Sequence, residues 1–89
     1  MIDLTVVILT KNEEENITDV IKNAAQLTKN ILIVDSGSAD KTVELAKAAG
    51  ARVIYRVWDN DFSAQRNFAL RYITTEWVLY LDADERLTE

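Results

Sequence analysis

Trp77-Val78-Leu79-Tyr80-Leu81-Asp82-Ala83-Asp84-Glu85 is an apolar run that ends abruptly in three carboxylates. Five consecutive large apolar residues read as a strand buried on both faces of a sheet. Carboxylates cannot follow such a strand into a core without partners, so Asp82 and Asp84 are expected where it emerges. On an extended backbone residues i and i+2 project to one side, so the Asp-x-Asp spacing can turn two acids toward one hard metal or one sugar-phosphate. Taken alone the tripeptide is common and reads more simply as a solvated acidic turn. The rest of the chain shifts that balance.

Working outward, the segment before this strand predicts a helix over about 62–74, with Phe62, Ala69 and Ile73 toward the core and Gln65, Arg66 and Asn67 presented beside them. Arg52 to Val57 alternates and carries two Arg, which suits a strand near a sheet edge. Ile31 to Val34 is a short apolar strand followed by Asp35-Ser36-Gly37-Ser38. There Gly37 permits a tight turn, and Ser38 can cap a helix whose buried stripe is Val43, Ala46 and Ala49, with Gly50 ending it. Leu4 to Leu9 is β-branched and almost wholly apolar, as an interior parallel strand should be. A first helix over about 13–28 follows, with Asn12 as its cap and Glu13-Glu14-Glu15 in its first turn. Strand and helix thus alternate from end to end, the grammar of βαβ crossovers and a parallel sheet with helices on its faces. Polar clusters fall after the first, second and fourth strands, at the carboxyl ends where such sheets bind ligands.

Bulk properties narrow the chemistry. The 89 residues make one small domain or part of a larger protein, with a formal charge of −5 that argues against a nucleic-acid or anionic-membrane surface as main partner. With neither cysteine nor histidine, chemistry must run on carboxylates, hydroxyls, amides, Lys and Arg. No basic-then-apolar leader and no run of transmembrane length is present, so the chain reads as soluble and cytoplasmic.

Each rim residue has two readings. Asp35 can accept hydrogen bonds from a planar imide or from ribose hydroxyls, or it can cap its own turn with Ser36 and Ser38. Thr10 can offer its hydroxyl and amide to a base edge, or be a routine strand-end hydroxyl. Arg66 is a phosphate or carboxylate clamp, or a solvated Arg paired with Asp59 or Asp61. Asn67 reads as a buried amide tying the third helix to the fourth strand. Lys11 can reach a phosphate but is more simply exposed. Thr10-Lys11-Asn12-Glu13 is neither a Gly-x-Gly-x-x-Gly fingerprint nor a P-loop, which disfavours a dinucleotide oxidoreductase and an ATPase. A late Asp-x-Asp suits instead a divalent cation that bridges the acids to the diphosphate of a nucleotide-sugar and neutralises charge on the leaving group.

Four motifs in order, Val6 to Glu14, Val34 to Thr42, Gln65-Arg66-Asn67 and Leu81 to Glu85, resemble the nucleotide-binding half of family 2 glycosyltransferases. The Thr-Lys-Asn-Glu opening and the Trp77 to Glu85 ending look most like the branch that includes bacterial lipopolysaccharide core glucosyltransferases. The resemblance implies a three-layer, Rossmann-like α/β parallel sheet of βαβαβαβ order, the N-terminal half of a GT-A fold. It implies that Thr10 and Asp35 contact a uracil or similar base, with Asn12 and Glu13 near base and ribose. Arg66 and Asn67 would lie by the base or diphosphate, Asp82 by the ribose or donor sugar, and Asp84 on Mg²⁺ or Mn²⁺. It further implies inverting transfer of a hexose from a nucleotide-sugar, a UDP-hexose being the expected donor, to a saccharide or lipid-linked acceptor in cell envelope biosynthesis. Peripheral attachment to the inner face of the membrane is compatible with that role.

Many relatives carry Pro and an aromatic where this chain has Thr10-Lys11, so the resemblance does not carry base stacking over to the first loop. Relatives place the acceptor site and catalytic base beyond the Asp-x-Asp. The 89 residues are therefore expected to be a single donor-binding domain that stops before the acceptor half and holds no catalytic base. Self-association through an exposed fourth-strand edge is also expected. Two other classes compete: a non-catalytic βαβ assembly module, and a phosphatase, which normally carries its Asp-x-Asp after the first strand rather than the last.

Overall fold

Alternate residues of a strand point to opposite faces, and in the first strand, β1 (Leu4–Thr10), both faces are covered. In a computed structural model that describes residues 3–86, Val6 and Ile8 pack with Ile31 and Ile33 of β2 (Asn30–Asp35) under one helical layer. That layer consists of α1 (Ile17–Ala25), which contributes Ile17, Val20, Ile21 and Ala24, and α2 (Thr42–Ala48), which contributes Ala46. Val7, Leu32 and Val34 face the other way and meet Ala69 of α3 (Phe62–Leu70), with Phe68 and Ile73 beside it. Helices on both faces make the three-layer α/β architecture that the element order predicts.

The sheet has four parallel strands in the order β3-β2-β1-β4, where β3 is Arg52–Tyr55 and β4 is Trp77–Asp82. The chain runs outward from β1 through β2 to the edge strand β3, then returns across the sheet to lay β4 on the far side of β1. That reversal requires the last crossover to use the opposite face, which is where α3 lies. It also creates a switch point between β1 and β4, and ligands of open parallel sheets bind in the crevice outside such a point. The register sets Thr10 level with Asp35, and Leu9 level with Asp82, on that rim.

Several elements depart from the sequence expectation. The fourth strand is not buried on both faces: β4 is an edge strand with β1 on one side only, Trp77 is 61% exposed, and Leu81 alone is buried. Helix α1 begins at Ile17, because residues 14–16 form a turn in which Asn16 and Ile17 donate to the Glu13 carbonyl at 3.0 and 2.8 Å. Asn12 caps nothing; it has a positive φ of 54° and is drawn sideways into the neighbouring loop. Ser38 does not cap α2 either, since Asp40 takes that part by accepting from the Thr42 backbone N–H at 2.9 Å and from its hydroxyl. Helix α3 stops at Leu70, where Arg71, Tyr72 and Ile73 close the chain with tighter i to i−3 bonds.

Gly37 is a position where only glycine fits comfortably. Its φ is +101°, and a Cβ there would meet the Tyr55 ring at 3.4 Å. Gly37→Ala is expected to lower stability by about 1–3 kcal/mol, read as a shift in the urea midpoint.

Candidate functional site

The first polar cluster on the rim is built around Asp35, and the structure uses this residue for its own turn. The residue is 2% exposed. Oδ2 accepts from the backbone N–H groups of Gly37 and Ser38 at 2.9 and 2.8 Å. Oδ1 accepts from the hydroxyls of Thr10 and Ser38 at 2.7 and 2.6 Å. Those four bonds occupy its acceptor positions. Burial pushes the carboxyl up, but the bonds from Ser38, Thr10 and Gly37 together outweigh it and hold Asp35 below its ordinary value. As it stands Asp35 has no acceptor left for a base; it shapes the β2–α2 turn.

That turn is clasped to the loop after β1. Asn12 donates its N–H to Ser38 Oγ at 2.9 Å, and its own Oδ1 accepts from the Ala39 N–H at 2.7 Å. Glu13 N–H donates to Thr42 Oγ1 at 2.8 Å, Glu14 N–H to Asp40 at 3.2 Å, and Lys41 N–H to Glu14 at 3.2 Å. Nearly every donor here is a backbone amide that would otherwise be orphaned at a helix start or in a loop.

Beside this clasp opens a cleft of about 420 Å³ outside the carboxyl ends of the strands. Leu9, Thr10, Lys11 and Glu13 line it from the β1 side, Ser36 from β2, Trp58, Phe62 and Gln65 from the β3–α3 segment, and Asp82, Ala83 and Asp84 from β4. Of the residues to which the resemblance gives a nucleotide-sugar or metal role, Thr10, Glu13, Asp82 and Asp84 therefore meet, and Lys11 joins them. Asn12, Asp35, Arg66 and Asn67 do not line the cleft. Arg66 lies with its guanidinium 5.2 Å from the Tyr80 ring centroid, and Asn67 is exposed rather than a buried tie to β4. Helical phase explains both. Each residue turns about 100°, and α3 points Gln65 and Ala69 inward, which leaves 66 and 67 outside.

Gln65 is the buried amide. Its Nε2 donates to Ser36 Oγ at 3.0 Å and to the Arg56 carbonyl at 3.4 Å, while Oε1 accepts from Arg56 at 2.7 Å. Asp59 pairs with Arg56 at 3.0 Å, not with Arg66. Phe62, expected in the core, stands 60% exposed at the cleft wall.

On the opposite wall, β4 ends at Asp82 and the chain turns through Ala83 and Asp84. Asp82 N–H donates to Glu85 Oε1 at 2.7 Å, and Glu85 N–H returns a bond to the Asp82 carbonyl at 2.9 Å. Arg86 donates to the Ala83 carbonyl at 2.7 Å and to Asp19 of α1 at 2.8 Å, so the turn is anchored to the first helix. Sequence reading had no signal for that anchor. The carboxylates of Asp82 and Asp84 are exposed and have no hydrogen-bond or ion-pair partner among the described residues. Among those residues no group of three or more acidic side chains could hold a metal by itself. The pair can supply hard oxygen ligands to Mg²⁺ or Mn²⁺ if phosphate oxygens and water complete the shell, as is usual for Mg²⁺ beside phosphates.

A parallel sheet with its cleft at the β1/β4 switch point defines a Rossmann-like α/β domain, of the kind that binds ligands at its strand ends. Residues 5–89 match glycosyl transferase family 2, and the chain belongs to that family. It is 40% identical over 82 residues to an uncharacterized glycosyltransferase of Rickettsia typhi, covering 92% of this chain and 28% of that protein. It is 34% identical over 83 residues to the glycosyltransferase SunS of Bacillus subtilis, covering 91% of this chain and 20% of that one. Its fold is similar to glucosyl-3-phosphoglycerate synthase of Mycobacterium tuberculosis, solved with Mn²⁺, UDP and glucosyl-3-phosphoglycerate. The TM-score is 0.76 at 29% identity, over 91% of this chain and 33% of the synthase. The same synthase is also solved with Mn²⁺, UDP-glucose and phosphoglyceric acid, and with Mg²⁺ and UDP. This chain thus spans only about a fifth to a third of these proteins.

Proposed function

We propose that these residues form the donor-binding part of a metal-dependent glycosyltransferase that takes a hexose from a nucleotide-sugar, UDP-linked, with inversion. The observation that carries this reading is the pair of carboxylates, Asp82 and Asp84, without a partner among the described residues, on the cleft at the switch point. In the proposed complex Asp84 ligates Mg²⁺ or Mn²⁺, Asp82 faces the ribose or the sugar, and Thr10 and Glu13 border the nucleoside. Lys11, the one cation lining the cleft among the described residues, faces the phosphates. The metal neutralises charge on the leaving diphosphate while an acceptor hydroxyl attacks the anomeric carbon. The acceptor is assigned to the saccharide or lipid-linked class on the motif resemblance alone, in keeping with a lipopolysaccharide-type substrate. No base for that hydroxyl is assigned to these residues, so the 89-residue chain should bind donor without transferring sugar.

An amide-resolved NMR titration with UDP tests the reading, once with Mg²⁺ and once with trace Mn²⁺. Shifts at Thr10, Glu13 and Ser36, with paramagnetic broadening centred on Asp84, are expected. A folded chain that responds to neither would overturn it. A second reading, an assembly module that pairs through its sheet edge, draws support from the open β4 edge with Trp77 exposed. It would lead if the chain dimerises in sedimentation runs and ignores UDP.

A further inference from the structure

The turn that carries the acid pair is gripped by a side chain that does not line the cleft. Arg86 Nη1 donates to the Ala83 carbonyl and to the Glu85 carbonyl, each at 2.7 Å, so one nitrogen holds the carbonyls of the residues on either side of Asp84. Nε donates to Asp19 Oδ2 at 2.8 Å, which fixes the guanidinium on α1. Ala83, between the two acids, is 2% exposed and packs in the same apolar cluster as Ile17 and Val20 of that helix. The bonds between Asp82 and Glu85 close the other side of the turn. With the methyl of residue 83 sunk in the core and its carbonyl held, the Asp84 side chain is left to face the cleft, which it lines. The ion pair itself does little for folding, because the Asp19 side chain is 75% exposed and such pairs are weak in water. Its effect falls on direction. The ligands of a metal site have to be held within about 0.5 Å, and outer partners do that holding.

We infer that Arg86, anchored by Asp19, is the positioning residue of the acid turn: it aims Asp84 into the cleft and so sets how tightly a divalent cation is held there. The inference rests on the donor-binding reading and adds to it the residues that aim the acids. Asp19 has a second part. Its carboxylate cancels a guanidinium charge carried two residues from Asp84, a charge that would otherwise oppose a cation at that acid. A surface residue of the first helix, outside the cleft, thereby acts on the metal through Arg86.

The test uses the 89-residue chain and two readouts. UDP affinity is read from amide shifts, once with Mg²⁺ and once with a chelator, and Mn²⁺ binding in the presence of UDP is read from the loss of the free-ion EPR signal. Asp19→Asn changes an exposed side chain, so its urea midpoint should stay in place while Mn²⁺ binding weakens several-fold. Arg86→Gln should weaken Mn²⁺ about tenfold or more. Neither variant should alter UDP binding in chelator, which a merely structural role would lower. Arg86→Lys keeps the charge but has a single nitrogen for Asp19 and both carbonyls, and should stay weakened. The double variant should be no weaker than Arg86→Gln alone, since Asp19 acts through Arg86. The positioning role is overturned, with the donor reading intact, if Asp19→Asn and Arg86→Gln hold Mn²⁺ like the parent while Asp84→Asn does not. It is also overturned if UDP binding in chelator weakens in step, which would make Arg86 a prop for the fold, or if Arg86→Lys recovers fully, which would leave charge alone. If the parent binds UDP no better with Mg²⁺ than with chelator, the metal-dependent donor reading falls and the positioning role falls with it.

Discussion

An Asp35→Ala chain is expected to unfold at markedly lower urea, with a loss of about 2–4 kcal/mol. Removing the carboxylate deprives two backbone amides and two hydroxyls of their acceptor in a site that is almost closed to water. The hydroxyls can rotate toward other partners, but the Gly37 and Ser38 amides cannot, so they set the floor of the loss. A chain of this size has roughly 4–13 kcal/mol in total, so the change is large. The pH dependence has a definite sign. The folded-state pKa of Asp35 is depressed, so its contribution is fully present above its ordinary value near 3.8 and is lost as pH falls through the lower folded value. Asp35→Asn should therefore flatten the acid limb of a stability–pH curve below about pH 4. Some slope remains, because Asp40 and Asp59 are also lowered. At Asp40 desolvation, the largest single effect, raises the carboxyl but is outweighed by the bonds from Thr42 and Glu14 together, and at Asp59 the bond from Arg56 dominates. An unchanged urea midpoint in Asp35→Ala would show that the turn is held some other way.

The opposite profile is expected of Asp84→Asn. Its carboxylate is exposed and unpartnered among the described residues, so stability should move by less than about 0.5 kcal/mol. Metal-dependent affinity for UDP should fall about a hundredfold or more, since loss of an outer-shell partner alone typically costs 10–100-fold at a metal site. Calorimetric titration with and without a chelator reads this directly. Chelation should weaken UDP binding by the parent chain to the level of the variant, and should weaken the variant no further. A variant that kept its metal dependence would move the cation away from Asp84. The two acids thus separate folding from binding: one is buried and saturated, the other open and idle.

Much of the fold is legible in residue order. The runs from Leu4, Ile31 and Trp77 are strands because β-branched and large apolar residues are concentrated there, and alternation with helices dictates a parallel sheet. The acid pair is legible too, since carboxylates after an apolar strand must emerge at its end. What is not legible depends on phase and on distant pairing. Phe62 to Leu70 mixes small, polar and aromatic residues without a clear apolar stripe, so nothing fixes which side faces the sheet. A two-residue shift then puts Asn67 inside and leaves Gln65, the actual buried amide, without a role of its own. Hydrophobicity likewise sent Phe62 inward, although it belongs to the cleft wall. Arg86 reaching Asp19, and Asn12 reaching Ser38 and Ala39, join residues 67, 26 and 27 positions apart, beyond any local pattern.

The clasp between the loops after β1 and β2 bears on selectivity. Five bonds between backbone amides and side-chain oxygens cross from one loop to the other, and none needs a ligand in order to form. Neither loop can shift to suit a larger or smaller guest without breaking several of them together. That half of the cleft behaves as a mould cast before the guest arrives, so little ordering entropy is lost there on binding. Tolerance for a different guest must then reside across the gap, in the short segment between β3 and α3. Under the proposed function, a changed donor preference is expected to trace to residues 56–62 and not to the clasp.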